Sequence, residues 1–433
     1  MRLAPSPGVP GSNGILRCGL ASLHPRFDKY ELERRRRGFQ PLSIATGGIM
    51  FAGIDIASER HVLARLDDAG GAIGKPITIS EDREGYDALL AALGPPPVLI
   101  VMEATGHYWK NLFVVLTTAG HDVALLNPLI ARRFQETNLA RTKTDALDAT
   151  GLARLAFEKR PAPTHLHDEI AETLRELVRH RDRLRQDFDD RVRQLHRLVD
   201  LGFPEFTRYV RSLDSMLATC LLAEYPTAHA FARATPRRLA RLRYDGRHFV
   251  GPELAHSLVE AAKHSVGQHH GPAYKLQARH ICQDLDTWRK RLAEIEHDIE
   301  NLLNTHVTGK LITSIDGIGP QTAARIIAAT GDPAHFKSAG AFAAFVGVVP
   351  ALRQSGKQKG ARAGIGNLGH ARLRRALWMP VLSAVRLNPW LRAFYLRLRA
   401  AGKPPKLAII AAMRKLLHAV YSVAKNRRPF VTT

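Results

Sequence analysis

Phe51-Ala-Gly-Ile-Asp-Ile-Ala57, followed by His61-Val-Leu-Ala-Arg-Leu66, decides how the first third of the chain is read. Both stretches are short and aliphatic, and they predict a strand with a hairpin partner. Ile77-Thr-Ile79 predicts a third, short strand. A helix from Glu81 to Leu93 would carry Tyr86, Leu89, Leu90 and Leu93 on one side. After Pro95-Pro-Pro97 comes Val98-Leu-Ile-Val-Met102, a continuous apolar run of the kind buried on both faces of a parallel sheet. A helix from about Tyr108 to Ala119, a strand Asp122-Val-Ala-Leu-Leu126 and a helix opened by Asn127-Pro128 complete the pattern.

A hairpin followed by alternating helices and strands is a ribonuclease-H arrangement. No Gly-x-Gly-x-x-Gly follows the first strand, which weakens a dinucleotide-binding reading. Asp55 stands between two isoleucines, a costly place for a charge unless it is paired or binds a cation. Glu103 comes directly after the apolar run, where parallel sheets present binding groups. Further on, Arg141-Thr-Lys-Thr-Asp-Ala-Leu-Asp148 sets Asp145 and Asp148 three apart, on one face of a helix. The helix dipole favours an Asp pair in a first turn, with Thr144 or Thr142 as a cap. Mg²⁺ between them is the other way to offset the repulsion. If the 98–102 strand lies beside the first and the Asp145 helix packs across that edge, four carboxylates converge. They would then surround one or two Mg²⁺ ions able to activate a phosphodiester. Arg141 and Lys143 beside the pair suit phosphate contacts.

The rest of the chain fits a nucleic-acid protein. Of 433 residues, 45% are hydrophobic and 24% charged, as in an ordinary globular chain, but the net charge is +23. Asp332 is the last acidic residue, and nineteen Lys or Arg follow it, which favours a polyanionic partner. No apolar run approaches the length of a membrane span, and the first 50 residues lack the regions of a secretory signal. Cys18, Cys220 and Cys282 are far apart, arguing for a reducing interior without structural zinc. Residues 1–49, rich in Pro, Gly, Ser and Arg, read as a disordered extension, and 50–163 as the α/β domain. Residues 164–306 read as a coiled-coil hairpin with an inserted helical lobe, its long helices near 168–200 and 273–306. Ile281, Leu285, Trp288, Leu292, Ile295, Ile299 and Leu302 form a heptad seam that could close within one chain or between chains. Residues 307–425 read as a mostly helical C-terminal domain, with 426–433 as a tail. There Gly317 and Gly319 mark either a helix-hairpin-helix turn or a plain tight turn. Gln354 to Gly369 reads as a polar, glycine-rich loop. Within it Ser355 has Lys357, Lys359 and Arg362 close by, so a phosphate would be held beside a hydroxyl. Ser-Gly pairs in such loops are also common as simple turns.

Taken together, Gly53-Ile-Asp55, Glu103-Ala-Thr-Gly106, Asn127-Pro128 and Lys143-Thr-Asp-Ala-Leu-Asp-Ala149 resemble the DEDD transposases of the insertion sequence 110 family. The C-terminal domain extends the likeness through Gly317-Ile-Gly-Pro320, Phe345-Val-Gly-Val-Val-Pro350, Gln354-Ser-Gly356 and Gly366-Asn367. The likeness covers about residues 50–425; the head of 49 residues departs from it. It implies a RuvC-like domain whose acidic set is Asp55, Glu103, Asp145 and Asp148, acting with Mg²⁺. It implies a C-terminal transposase domain whose Ser355 becomes covalently joined to DNA, in a cytoplasmic homodimer or homotetramer working with a structured guide RNA. Arg372, Arg374 and Arg375, on the helix that follows, suit phosphate contacts. Two rival readings stand beside it: a metal-dependent nuclease of the Holliday-junction type, and a nucleic-acid-binding protein without catalysis.

Overall fold

A computed structural model describes residues 51–136, 144–164, 168–355, 358–366 and 368–431. The chain divides into two compact units, residues 1–165 and 166–433.

The first unit is built on one mixed five-stranded sheet. Strands β1 (Phe51–Ile56), β2 (Arg60–Leu66), β3 (Ile77–Ser80), β4 (Leu99–Glu103) and β5 (Asp122–Leu126) lie in the order β3-β2-β1-β4-β5. β1 and β2 pair antiparallel, with Phe51 opposite Leu66 and Asp55 opposite Val62. β4 and β5 join parallel to β1, with Ile54 beside Met102. β4 is displaced one residue from the apolar run, so Glu103 is the last residue of the strand rather than the first beyond it. Alternation along the strands then sorts the side chains. Ala52, Ile54, Ile56, Ile100 and Met102 face helices α1 (Arg83–Leu93) and α2 (Trp109–Thr118). Phe51, Ala64, Val101 and Ala124 face α3 (Pro128–Glu136) and α4 (Asp145–Lys159). Asp82 caps α1 by accepting from the Gly85 amide at 2.7 Å, which starts that helix two residues later than the pattern suggested.

The second unit is helical. α5 (Glu169–Gly202) and α11 (Pro272–Thr305) are its two long helices. Between them lies a lobe of five short helices: α6 (Phe206–Tyr209), α7 (Met216–Glu224), α8 (Ala228–Ala232), α9 (Pro236–Ala240) and α10 (Pro252–Lys263). Arg181 pairs with Glu296, and Arg191 Nε with Asp284 at 3.2 Å, so α5 and α11 run antiparallel within one chain. The heptad seam closes there: Ile281, Leu285 and Leu292 are buried with Trp288 packed partly buried against them, and Ile295 and Ile299 are buried in the adjoining core. That seam therefore carries no argument for association between chains.

Beyond it come α12 (Val307–Ile312), α13 (Pro320–Thr330), α14 (Ala339–Val346), the ribbon β6 (Pro350–Ser355) and β7 (Gln358–Ile365), then α15 (Ala371–Ala376), α16 (Trp378–Leu387), α17 (Pro389–Ala400) and α18 (Pro405–Asn426). Gly317, at φ +93°, forms the turn before α13, and a Cβ there would fall within 3 Å of the Ala384 backbone in α16. Packing against a helix thus accounts for Gly317. α18 corrects one expectation, because it is long and apolar enough to cross a membrane by length and hydropathy. Ile409, Ala412, Met413, Leu416 and Val420 are nevertheless buried in the core shared with α13 and α14.

Candidate active site

Gly53 sets the geometry of the acidic edge. A Cβ at this mid-strand position would fall within 3 Å of the Ala149, Leu152 and Ala153 backbone. The helix backbone of α4 therefore lies directly on β1, closer than any side chain permits, which is one reason for a glycine inside a strand. At the other end of the contact, Phe51 meets Phe157 edge-to-face, with ring centroids 5.4 Å apart. α4 thus crosses β1 antiparallel, and its N-terminal turn comes over the carboxyl end of the strand. That end holds Asp55, on the same face as Gly53.

Thr144 caps α4, accepting from the Leu147 amide at 3.3 Å, so Asp145 and Asp148 both fall in the first turn. Glu103 ends the neighbouring parallel strand, one residue past the Ile54–Met102 pairing. The Thr105 hydroxyl donates to Glu103 Oε1 at 2.9 Å and fixes that carboxylate. Two strand ends and one helix start therefore bring the four acids to one edge. Their mutual repulsion registers on Asp55, which is half-buried. Burial first, then the carboxylates of Asp148, Asp145 and Glu103, push its carboxyl up to about 6, against a smaller lowering by the Ile56 backbone.

All the donors are carboxylate oxygens, the type that suits a hard divalent cation. Among the described residues, no group of three or more His, Cys, Asp or Glu is close enough together to hold a metal ion as it stands. The donor chemistry fits a cation, while the spacing is wider than a ligand set. Arg141 and Lys143 lie outside the described residues.

In the second unit the segment expected to be a glycine-rich loop is an antiparallel ribbon. Leu352 pairs with Arg362 and Ser355 with Gln358, with two register irregularities along β6. Ser355 ends β6 at the turn. Lys359 and Arg362 belong to β7, and Lys357 lies outside the described residues. The feet of this ribbon meet at Gly347 and Gly369, at φ +85° and +96°. A Cβ on Gly369 would fall within 3 Å of Gly347 Cα. Arg374 Nη1 donates to the carbonyls of Leu368 (3.0 Å), Val346 (3.2 Å) and Gly347 (3.4 Å), tying both feet to α15. Of the three arginines assigned to phosphate by the sequence, Arg374 is thus engaged with backbone, whereas Arg372 and Arg375 are exposed. The roles of Gly53, Thr105, Gly347, Gly369 and Arg374 were missed by sequence reasoning. Only a glycine inside a strand and glycines flanking a basic segment hinted at them.

Comparison with known proteins bears on both units. Residues 52–204 match a family model described as a transposase, of the DEDD type named for IS110. Residues 309–396 match one described as the transposase IS116/IS110/IS902 family. The chain is 26% identical over 385 residues to the insertion element IS110 uncharacterized 43.6 kDa protein of Streptomyces coelicolor, covering 87% of this chain and 94% of that one. It is 28% identical over 406 residues to the insertion element IS900 uncharacterized 42 kDa protein of Mycobacterium paratuberculosis, covering 89% and 98%. To the pilin gene-inverting protein of Moraxella bovis it is 26% identical over 337 residues, covering 76% and 81%.

Proposed function

We propose how the chemistry is carried in this chain, which belongs to the IS110 family of DEDD transposases and is an enzyme of DNA recombination. Asp55, Glu103, Asp145 and Asp148 act together on a DNA phosphodiester, and Ser355 is the nucleophile that carries the cut strand. The observation that carries the acidic half is Asp55, a half-buried carboxylate beside three others and held up at about 6. A cation relieves that repulsion. Mg²⁺ suits hard oxygen donors, and were these carboxylates drawn closer around it than they stand here, it would polarise the scissile phosphate and offset its developing charge. The strand order β3-β2-β1-β4-β5, with an antiparallel hairpin leading a parallel pair, supports a RuvC or ribonuclease-H-like reading of this unit.

Ser355 stands at the tip of a ribbon whose sequence carries Lys357, Lys359 and Arg362. Its Oγ forms a bond to phosphorus as the bond from phosphorus to the leaving sugar oxygen breaks, and the serine proton ends on that oxygen. The ester formed preserves the energy of the cut bond, so reversal rejoins DNA without an external energy source. By family resemblance the proposal extends to a structured guide RNA and to a homodimer or homotetramer acting at the bacterial nucleoid.

The test uses purified protein with labelled donor and target DNA, the element's guide RNA and Mg²⁺. Wild type is expected to yield a protein–DNA species that survives denaturation, and Ser355→Ala to lose it together with recombination. Recombination by Ser355→Ala at the wild-type rate would replace the serine route with attack by water, the nuclease reading. Wild-type rates in Asp55→Asn, Glu103→Gln, Asp145→Asn and Asp148→Asn would remove the acidic set from the mechanism.

A further inference from the structure

Away from the serine ribbon, the second unit has a cavity of roughly 650 Å³ between α5, α13 and α15. Its charged walls are Arg175, Arg179 and Arg183 from α5, Arg325 from α13, and Arg372 and Arg375 from α15, against one carboxylate, Asp182. These charges are not equally free. Arg175 donates through Nε to the Ala328 carbonyl at 2.8 Å and through Nη1 to Glu172 at 2.6 Å. Arg325 pairs with Asp182. Arg179 has a long, exposed pair with Glu176 at 3.4 Å, the kind worth little in water. Arg183, Arg372 and Arg375 are exposed and have no ion pair among the described residues. The local field is felt by His370 at the start of α15. Burial first, then Arg372, Arg175 and Arg179, hold its imidazole below the usual range.

Arg175 and Arg325 help to join α5 to α13, but Arg183, Arg372 and Arg375 make no such pair among the described residues, and a buried core already joins these helices. We propose that this groove binds the sugar–phosphate backbone of duplex DNA, with Arg179, Arg183, Arg372 and Arg375 as its contacts. Three features point to a polymer backbone. Arg179 and Arg183 stand one helical turn apart, about 6 Å, on the face of α5 that lines the groove, with Arg372 and Arg375 contributed by α15. Duplex DNA carries one phosphate per ~3.4 Å of helix axis on each strand, so four arginines spread over two helices match more than one phosphate rather than one free anion. Apart from His370 the lining has no aromatic ring, which leaves little to stack on bases and suits contacts that ignore sequence. Finally, α15 begins six residues after the ribbon that holds Ser355, and Arg374 ties the two together. The choice of DNA as occupant rests on the recombinase reading; the excess of positive charge does not.

The measurement is fluorescence anisotropy of full-length protein with a 20-base-pair duplex of unrelated sequence, titrated over a range of KCl concentrations. The Arg183→Gln/Arg372→Gln/Arg375→Gln variant removes three unpaired charges from the groove. A control, Arg208→Gln/Arg233→Gln/Arg237→Gln, removes three exposed charges from the lobe. Circular dichroism checks that each is folded. For the groove variant the slope of log affinity against log salt is expected to become shallower by roughly 2 to 3, with the control keeping the wild-type slope. An equal change in both variants would overturn the groove in favour of diffuse charge, and no change in the groove variant would overturn it outright. A loss confined to a structured RNA hairpin run in parallel would overturn DNA as the occupant. Cleavage is scored separately in the same preparations. A wild type that never cuts DNA, with the groove slope still reduced, counts against the recombinase reading and leaves the groove standing.

Discussion

The acidic edge of the sheet and the ribbon that carries Ser355 are built in opposite ways. At the edge, every functional side chain is placed by a core element: Asp55 and Glu103 by strand register, Asp145 and Asp148 by a capped helix lying against Gly53. The ribbon consists of two strands that pair only with each other and are held at their feet by Gly347, Gly369 and Arg374. A two-stranded ribbon is marginal without outside support. The first region is rigidly placed and electrostatically strained, while the second is weakly built and depends on a clasp. Placing like charges together requires a strong scaffold. A nucleophile at a ribbon tip requires only that the base be fixed.

The most severe test of this contrast is Asp55→Asn. Because the amide cannot serve as an anionic donor, recombination is expected to fall by roughly 10³-fold or more. Stability should move the other way, because the variant removes a half-buried carboxylate crowded by three others. A higher melting temperature together with lost activity would mark a residue kept for chemistry at the expense of the fold. If Asp55→Asn melted well below wild type in metal-free buffer, the strained edge would be refuted.

Gly53→Ala probes the scaffold alone. The added methyl falls inside the α4 backbone, and backbone cannot rotate aside as a side chain does. A loss of about 1–3 kcal/mol is expected in urea unfolding, with recombination impaired as α4 shifts. Gly340→Ala, where the nearest atom is a serine hydroxyl at 3.7 Å, serves as the harmless comparison. Equal unfolding midpoints for the two variants would remove Gly53 as the spacer.

The pH dependence follows from the same carboxyl. Its folded value, about 6, lies above its ordinary 3.8, so the folded state holds the proton more tightly than the unfolded one. Stability is then unpenalised below about pH 4, falls as pH rises from about 4 to 6, and stays lower above that. After allowance for partial exposure, the drop is about 2 kcal/mol. Chemical denaturation in chelator at several pH values should show the drop in wild type and its absence in Asp55→Asn. Added Mg²⁺ at pH 7.5 should restore stability to wild type only.

Much of the acidic edge was legible because its logic is local: alternating aliphatic residues predict strands, and a charge between two isoleucines is conspicuous. The hairpin was legible too, whereas the place of β4 beside β1 was only a condition of the sequence reading and the structure supplies it. What stayed hidden was tertiary. Nothing near Gly53 in the chain announces that Ala149 to Ala153 will lie upon it. The heptad seam could not by itself choose between one chain and two, and the ion pairs Arg181–Glu296 and Arg191–Asp284 make that choice. The sequence predicts a loop at the ribbon because Gln, Lys, Gly and Arg are poor or indifferent strand formers. Its pairing comes from the closure of its feet, a contact between residues 22 apart in sequence. Arg372, Arg374 and Arg375 are equivalent on paper, but only Arg374 reaches the carbonyls that end α14.

That last difference gives the smallest and most local effect. Arg374→Ala deletes three hydrogen bonds to backbone carbonyls at the junction of α14, the ribbon and α15. Each such bond is worth about 1–2 kcal/mol at most, and water can replace part of the loss, so overall stability should fall by only about 1–2 kcal/mol. The ribbon should respond more than the unit that holds it, because among the described residues its two strands pair only with each other. Hydrogen exchange in residues 350–365 is therefore expected to quicken, while exchange in α5, α11 and α18 stays as in wild type. Trapping of the Ser355–DNA species should drop with it, and the salt dependence of DNA binding should remain close to that of wild type. Arg372→Ala should give the reverse pattern, with ribbon exchange unchanged and a shallower salt slope. If the two variants behaved alike in both measurements, the clasp would have no role separate from that of the basic surface around it. The ribbon would then be held by its own strand pairing, as the sheet is.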